Sequence, residues 1–312
     1  MFEGIMPRRG FLSGLASVAV MAGASTAGGL AKDDSKRVHI ASSEYSWTVF
    51  YTRAKRNFRD SLKSALGELR ASGIDGLEPM VDSPADIDRL VPLLREHHLE
   101  MRSLYMNSVL HEAQKVDQSI QQILAVAGKA RAAGTRIVVT NPSPIRWGAQ
   151  EDKNDEQLKV QARALEKLGQ ELKLLGLTLA YHNHDIEMRN GAREFHHMMV
   201  GTDPKLVTLC LDAHWIYRGS GNSELALSDI MRLYGRRVSE VHIRQSLAGI
   251  WSETLGDGDI DYRALAAKLR SLQVKPHLVV ELALEKGTPH TMDPVAAHRQ
   301  SIEYARRVFA GF

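Results

Sequence analysis

The chain has 312 residues, of which 44% are apolar and 25% are charged, and its formal net charge is +3. This apolar content excludes a disordered chain, and a small net charge without a Lys/Arg run gives no sign of a nucleic acid or acidic membrane partner. The single cysteine, Cys210, excludes an internal disulfide and a cysteine-based metal cluster.

The first 31 residues have the pattern of an export signal. Arg8 and Arg9 form a twin-arginine pair, and the apolar run that follows ends in small residues suited to cleavage. A buried N-terminal helix is disfavoured because the segment lacks an amphipathic stripe, and the run is too short to span a bilayer. We therefore predict that residues 1–31 are removed, that residues 32–312 form one catalytic domain, and that the protein is periplasmic or otherwise exported through the twin-arginine route, with no membrane span after processing.

Beyond residue 36, β-rich runs alternate with longer helical stretches. Strands are predicted to begin near Val38, Ile74, Leu99, Arg136, Leu177, Val207, Val238 and His277. Helices are predicted at 53–72, 87–97, 114–133, 155–175, 225–234, 262–272 and 294–309. Strict alternation implies a parallel sheet covered by helices, and eight such units in about 250 residues match a TIM barrel. We predict an α/β fold with a single (β/α)8 barrel rather than an open sheet, because no Gly-rich phosphate loop follows a strand.

The carboxyl ends of the last four predicted strands carry donor groups for a metal ion. In a barrel these ends line one pocket, and they bear His182, Asp212, His242 and Glu281. Each residue alone is more often a core or rim residue, but four in equivalent positions favour a metal site. Imidazole and carboxylate donors suit Mn²⁺, our first candidate, or Co²⁺, Zn²⁺ or Fe²⁺ better than Mg²⁺ or Ca²⁺. Whether His182 or the nearby His184 contacts the ion is left open.

Five further side chains are candidates for contact with a substrate. Arg244 can hold a substrate oxygen by a charge-assisted hydrogen bond, with a rim salt bridge as the alternative. Trp215 offers a flat face to a sugar ring, and His214 shares a strand face with Asp212. Glu78 can orient a ligand or a hydroxyl, or else form an ion pair with a helix. Glu253 lies in a loop that is predicted to act as a lid.

Six short motifs carry a resemblance to a known family. They are Gly76-Leu77-Glu78, Tyr181-His182-Asn183-His184-Asp185, Leu211-Asp212, Val241-His242-Ile243, Gly256-Asp257-Gly258-Asp259-Ile260-Asp261 and Val280-Glu281. Their order and spacing resemble the xylose-isomerase-like barrel superfamily of sugar (phosphate) isomerases and epimerases, which also holds inosose dehydratases and 3-keto-glycoside lyases. Members commonly bind their metal through Glu, Asp, His and Glu from strands five to eight. Asp212, His242 and Glu281 match this set, whereas His182 replaces the first Glu.

The resemblance implies proton abstraction next to the carbonyl of a sugar or keto-sugar, with a divalent metal stabilising the enediolate. Glu281 is the first candidate for the base, and His184 for its acid–base partner. The replacement of a glutamate by His182 removes one of the two glutamates that suit epimerisation, and this disfavours epimerisation relative to single-base enolisation, dehydration or β-elimination. The sequence does not decide between isomerisation, epimerisation, and a lyase or dehydratase step.

Two other functions compete with this prediction. One is a non-catalytic periplasmic sugar-binding barrel, and the other is a metal-dependent phosphodiester hydrolase, which the near-neutral charge disfavours. The expected partner is a small sugar and not a nucleic acid. Export argues against a phosphorylated substrate, and the sequence leaves assembly into a homo-oligomer open.

Overall fold

The computed structural model describes residues 37–312, so the predicted export signal and its boundary at residue 31 lie outside the described residues. The strands are β1 (Ile40–Ser43), β2 (Gly76–Glu78), β3 (Ser103–Ser108), β4 (Ile137–Pro142), β5 (Thr178–His182), β6 (Val207–Asp212), β7 (Val238–Ile243), β8 (Ser246–Leu247), β9 (Ile250–Trp251) and β10 (His277–Val280). The helices are α1 (Glu44–Arg53), α2 (Leu62–Ala71), α3 (Pro84–Glu96), α4 (Ala113–Ala132), α5 (Asp155–Leu174), α6 (Arg189–Val200), α7 (Ala213–Gly219), α8 (Glu224–Tyr234), α9 (Tyr262–Ser271) and α10 (Pro294–Val308).

Eight of these strands form one parallel sheet in the order β2-β1-β10-β7-β6-β5-β4-β3, and β8 and β9 form a separate antiparallel hairpin. The two ends of the sheet meet through bridges from Gly76 to Glu100 and from Met80 to Tyr105. Closure brings the backbones so near that a Cβ on Gly76 would lie 2.5 Å from the Glu100 carbonyl oxygen. The predicted TIM barrel is confirmed.

The helix predicted at 53–72 is wrong in its boundaries. Only its second half is helical, as α2 from Leu62; α1 ends at Arg53, where the predicted helix begins, and starts at Glu44, directly after β1. Ser43 ends β1 and caps the helix, because its hydroxyl accepts a hydrogen bond from the Ser46 backbone N–H. The third strand also starts later than predicted, at Ser103 rather than near Leu99.

The register of the sheet points four polar side chains into the barrel. Asp212 is paired with His242. His182 is paired with the residue two before Asp212, and Glu281 comes two residues after the partner of His242. Paired residues of neighbouring strands, and residues two apart on one strand, share a face. All four therefore point toward the barrel axis near its carboxyl end.

A local irregularity of β7 sets this phase. Leu209 of β6 is paired with Val238, but the next residue of β6 is paired with Glu240, so Ser239 is an extra residue in the ladder. One extra residue reverses which side chains of a strand point inward. The bulge thus lets Val238 pack among the helices while His242 points into the barrel.

The main apolar core lies between the strands and the helices, and a smaller cluster of Val139, Ala180 and Cys210 fills the barrel interior. Among the described residues, no helix is long and apolar enough to cross a membrane.

Candidate functional site

A cavity of about 210 Å³ opens at the carboxyl end of the barrel. Five residues of its lining were predicted from the sequence as site residues: Glu78, His184, Trp215, Arg244 and Glu281. Trp147 also belongs to the lining. The barrel thus concentrates both predicted catalytic side chains and three of the five predicted substrate side chains at one mouth, as expected for this fold.

The four predicted metal ligands converge. His182, Asp212, His242 and Glu281 each offer one N or O atom, and these four atoms lie within 4.8 Å of one another. All four residues are buried, and the buried Nδ1 atom of His182 has no hydrogen-bond partner among residues 37–312. A buried nitrogen without a partner beside two carboxylates is what a cation site needs.

His242 is surrounded by carboxylates. Its Nδ1 lies 2.8 Å from Glu281 Oε2, and its Nε2 lies 3.1 Å from Glu78 Oε1 and 3.2 Å from Glu240 Oε1. Burial lowers the pKa of this imidazole, but Cys210 and the Glu78 and Glu281 carboxylates outweigh burial and hold the pKa well above its usual value. Metal-binding histidines commonly have a carboxylate on the second ring nitrogen, which fixes the ring orientation.

Arg244 reaches into the same group from the residue after β7. Its Nη2 lies 2.6 Å from Asp212 Oδ2 and also contacts Glu281 Oε2. Burial raises the pKa of the Glu281 carboxyl, but Arg244 and then His242 lower it more, and the net value is about 2. Burial likewise raises the pKa of Asp212, and there Arg244 opposes the shift without cancelling it. Glu281 is therefore ionised at neutral pH.

His184 follows β5 and lines the cavity. Its ring centroid lies 4.8 Å from that of His182, so the two imidazoles are neighbours although the strand ends at His182. Burial lowers the pKa of His184 to about 4, so the ring is neutral at pH 7 and can accept a proton. Its backbone N–H donates to Glu187 Oε2 at 2.6 Å, and Asn141 donates to the other oxygen of Glu187 at 3.1 Å.

Trp215 forms one wall of the cavity at the start of α7, and Trp147 is 54% exposed at its rim. The ring of Trp215 lies 5.0 Å from that of Trp251, and the guanidinium carbon of Arg244 lies 5.2 Å and 5.0 Å from these two rings. The wall therefore offers an indole face and a buried cation side by side.

Two predicted substrate residues lie outside the cavity lining. His214 does not share a strand face with Asp212, because β6 ends at Asp212 and the chain turns into α7; its Nε2 lies 2.7 Å from Ser246 Oγ. Glu253 points away, since it pairs with Arg53 at 2.6 Å and accepts hydrogen bonds from Thr291. Both side chains are occupied in fixing loops around the mouth.

The segment predicted as a lid forms the β8–β9 hairpin. Asp259 fixes it, because its carboxylate accepts from the backbone N–H of Ala248 and Gly249 and from the Ser246 hydroxyl at 2.5–3.0 Å. Asp261 in the same motif caps α9 by accepting from the Ala264 N–H, as its sequence position indicated.

Sequence reasoning missed Glu240 and several cavity residues. Glu240 stands two residues before His242 on one strand, so the same alternation that indicated His242 and Arg244 could have found it. The other missed residues of the lining are Ser43, Tyr45, Met80, Tyr105 and Asn107. They come from the ends of the first three strands, and the local sequence does not predict the order of these strands in the barrel.

Comparison with known proteins gives a consistent result. A family model described as a xylose isomerase-like TIM barrel matches residues 38–308. An inosose dehydratase of Clostridium botulinum is 23% identical over 273 residues, which cover 78% of this chain and 89% of that protein.

Solved structures share the fold. The 3-keto-D-glucoside 4-epimerase of E. coli matches with a TM-score of 0.65 and 16% identity, covering 87% of this chain and all of that chain. A xylose isomerase-like TIM barrel protein from Mycobacterium smegmatis, in complex with magnesium, matches with a TM-score of 0.65 and 14% identity, covering 88% of this chain and 96% of that one.

Proposed function

We propose that this chain, which belongs to the xylose isomerase-like TIM barrel family, is a divalent-metal-dependent enzyme that removes a proton next to the carbonyl of a sugar or keto-sugar. The observation that carries the proposal is the convergence of two imidazoles and two carboxylates within 4.8 Å at the mouth of the barrel. The sugar substrate class is supported by relatives such as the inosose dehydratase of Clostridium botulinum.

The donor set fits a divalent ion. His182, Asp212, His242 and Glu281 would hold it, and the buried Nδ1 of His182 has no hydrogen-bond partner within the described part of the chain. Two nitrogens and two oxygens suit Mn²⁺, Co²⁺, Zn²⁺ or Fe²⁺. When bound, such an ion would act as a Lewis acid toward carbonyl and hydroxyl oxygens of the substrate.

The protein's own residues divide the proton transfers. Glu281 lines the cavity in its ionised form and is the candidate base for the C–H proton. A carboxyl with so low a pKa is a weak base, and its basicity rises when Arg244 no longer contacts it. His184 is a neutral imidazole on the same cavity and is the candidate partner for a proton at a hydroxyl or carbonyl oxygen.

Dehydration is our first choice of reaction because the sequence relatives are inosose dehydratases. Glu281 would take the proton from the carbon next to the carbonyl, and the hydroxyl on the following carbon would leave as water with that proton, relayed through the neutral imidazole of His184, so that both residues return to their starting forms. Isomerisation and epimerisation use the same first step and differ in where the proton returns. The proton-abstraction step is therefore the part to test first.

The test is exchange of substrate C–H protons with solvent deuterium. Chelator-treated protein is reloaded with Mn²⁺, Co²⁺, Zn²⁺ or Mg²⁺ and incubated in D₂O with inososes, ketohexoses and 3-keto-glycosides, followed by ¹H NMR. We expect metal-dependent exchange or elimination, lost in Glu281→Gln and kept in the matched variant Glu285→Gln, which pairs with Arg218 outside the cavity. Sugar binding without exchange in any metal form would instead identify a sugar-binding barrel.

We also propose that residues 1–31 direct export through the twin-arginine route. The support is the Arg8-Arg9 pair with the apolar run behind it. Cell fractionation of the full chain should find the mature form outside the cytoplasm, and Arg8→Lys with Arg9→Lys together should leave it inside. Equal export of the double variant would refute this route.

A further inference from the structure

The geometry points to Arg244 as a counter-cation built into the metal site: its guanidinium neutralises Asp212 and Glu281 before a divalent ion binds, and gives up these contacts when the ion takes them. The inference rests on the proposed metal dependence. It concerns how this chain regulates ion binding.

The positive charge of Arg244 lies between two of the proposed metal ligands, Asp212 and Glu281. The same Nη2 atom contacts both carboxylates, with 2.6 Å to Asp212 Oδ2. Both carboxylates also belong to the four-residue donor set. The guanidinium would therefore contact two of the four residues that would bind the divalent ion. While the guanidinium holds these two carboxylates, the affinity of the site for the ion is lower.

The buried carboxylates of the site need a positive partner when no metal ion is bound. Asp212 is fully buried, and Arg244 is only 2% exposed. Buried carboxylates without a positive partner are strongly destabilising. Glu281 also contacts His242, whereas Arg244 is the cation that contacts Asp212, so removing the guanidinium leaves this buried carboxylate without a cation in contact among the described residues. Arg244 thus lets the barrel fold with its acidic ligands already in place.

The contacts of the Arg244 guanidinium leave its side chain able to move. Asp212 Oδ2 is close to Nη2 but makes no hydrogen bond of normal geometry, and the described residues offer no acceptor to the Nε of Arg244. The planar head lies over the rings of Trp215 and Trp251, a contact that tolerates sliding along the ring faces. Arg244 itself is one of the residues that line the cavity, so open space adjoins it.

The backbone of Arg244 is fixed while its side chain can move. The Tyr262 hydroxyl accepts from the Arg244 N–H at 3.0 Å and donates to the Arg244 carbonyl at 2.5 Å. A change of rotamer is therefore the motion that frees Asp212 and Glu281, and no strand has to shift. In the released position the guanidinium stays at the cavity, where it can bind a substrate oxygen.

The test measures ion affinity directly, without substrate. Chelator-treated wild type, Arg244→Met and Arg244→Lys are titrated with Mn²⁺ by calorimetry, and the thermal midpoint of each ion-free protein is recorded. Arg218→Met is the matched control, because Arg218 also lies over Trp251, at 4.6 Å, but pairs with Glu285. We expect Arg244→Met to melt at a lower temperature without the ion and to bind Mn²⁺ at least tenfold more tightly. The shorter Arg244→Lys should fall between Arg244→Met and wild type, and Arg218→Met should match wild type in Mn²⁺ affinity.

A wild-type measurement covers the case in which Arg244→Met does not fold. A Zn²⁺ titration should change the tryptophan fluorescence as the guanidinium leaves Trp215 and Trp251, and Arg218→Met should show the same change. Mn²⁺ affinities of Arg244→Met and wild type that agree within twofold overturn the inference and leave the proposed function intact. Failure of both proteins to bind any of the ions overturns the metal-dependent function itself.

Discussion

The Oε1 atom of Glu78 lies 3.1 Å from the Nε2 atom of His242, although the two residues come from β2 and β7, three places apart in the barrel order. The carboxylate of Glu78 also accepts a hydrogen bond from Ser103 Oγ at 3.1 Å. Glu78 is therefore held where it can orient the ring of His242, a proposed metal ligand, together with Glu240, whose Oε1 lies 3.2 Å from the same Nε2 atom.

This relationship predicts the effect of Glu78→Gln on ion binding. Removing the anionic acceptor loosens the orientation of the His242 ring, and loss of such an outer partner typically weakens metal affinity about 10- to 100-fold. Calorimetric titration with Mn²⁺ in the absence of substrate measures this directly. Glu68→Gln is the control, since Glu68 bonds Tyr51 and Arg56 away from the cavity. An unchanged affinity would show that Glu78 serves only the substrate.

His298 makes stability depend on pH. Burial lowers the pKa of this imidazole, which stacks on Trp47, to about 4. Unfolded histidine titrates near 6.5, so between these values the unfolded chain binds more protons and stability falls as the pH drops. At pH 5 this linkage costs about 2 kcal/mol.

Denaturant unfolding at pH 7.5 and pH 5.0 checks this prediction. We expect His298→Gln to lose about 2 kcal/mol less than wild type between the two pH values, whatever its own stability at pH 7.5. The exposed His290 provides the control His290→Gln, which should keep the wild-type dependence. Identical pH dependence in all three proteins would contradict the assignment.

Asp259 is expected to control the order of the β8–β9 hairpin. Its carboxylate accepts three hydrogen bonds from residues 246–249, each worth about 1 kcal/mol. In Asp259→Ala, amide hydrogen exchange of residues 246–251 should accelerate about 10- to 100-fold, and KM should rise because Trp251 supports the cavity wall. Asp257→Ala, in the same loop, removes contacts to Arg263 and Tyr304, which lie outside the hairpin, and should leave exchange as in wild type.

Gly76 and Gly128 should respond oppositely to a methyl group. A Cβ at Gly76 would lie 2.5 Å from the Glu100 carbonyl oxygen, where the barrel closes, whereas at Gly128 in α4 it would meet no atom of residues 37–312 within 4 Å. Gly76→Ala should destabilise the protein by about 1–3 kcal/mol through overpacking. Gly128→Ala should stabilise it by about 0.5–1 kcal/mol. Urea unfolding gives the change in the free energy of unfolding for each variant. Equal stabilities of the two variants would contradict the close contact between Gly76 and Glu100.

The local sequence was most informative where a periodic pattern was long. Helix α5 agrees with its prediction to one residue at its end, because Asn154 and Gln157 form a capping box at its start. Helix α1 was missed because it is short and follows β1 without a break, so that its first residues extend the pattern of a strand. The hydroxyl of Ser43 caps α1 and so sets the boundary between β1 and α1. The sequence did not reveal this boundary, because a serine at that position also fits a strand.

The alternation of strands and helices could be predicted from the amino-acid sequence, and with it the barrel and the strand ends that bear His182, Asp212, His242 and Glu281. These features depend on hydrophobic periodicity, which is present in short stretches of chain. Three features became visible only in the folded chain: the bulge at Ser239, the contact of the Glu78 carboxylate with His242, and the position of Arg244 between Asp212 and Glu281. Each of these depends on register or on contacts between distant strands, which are set by closure of the whole sheet.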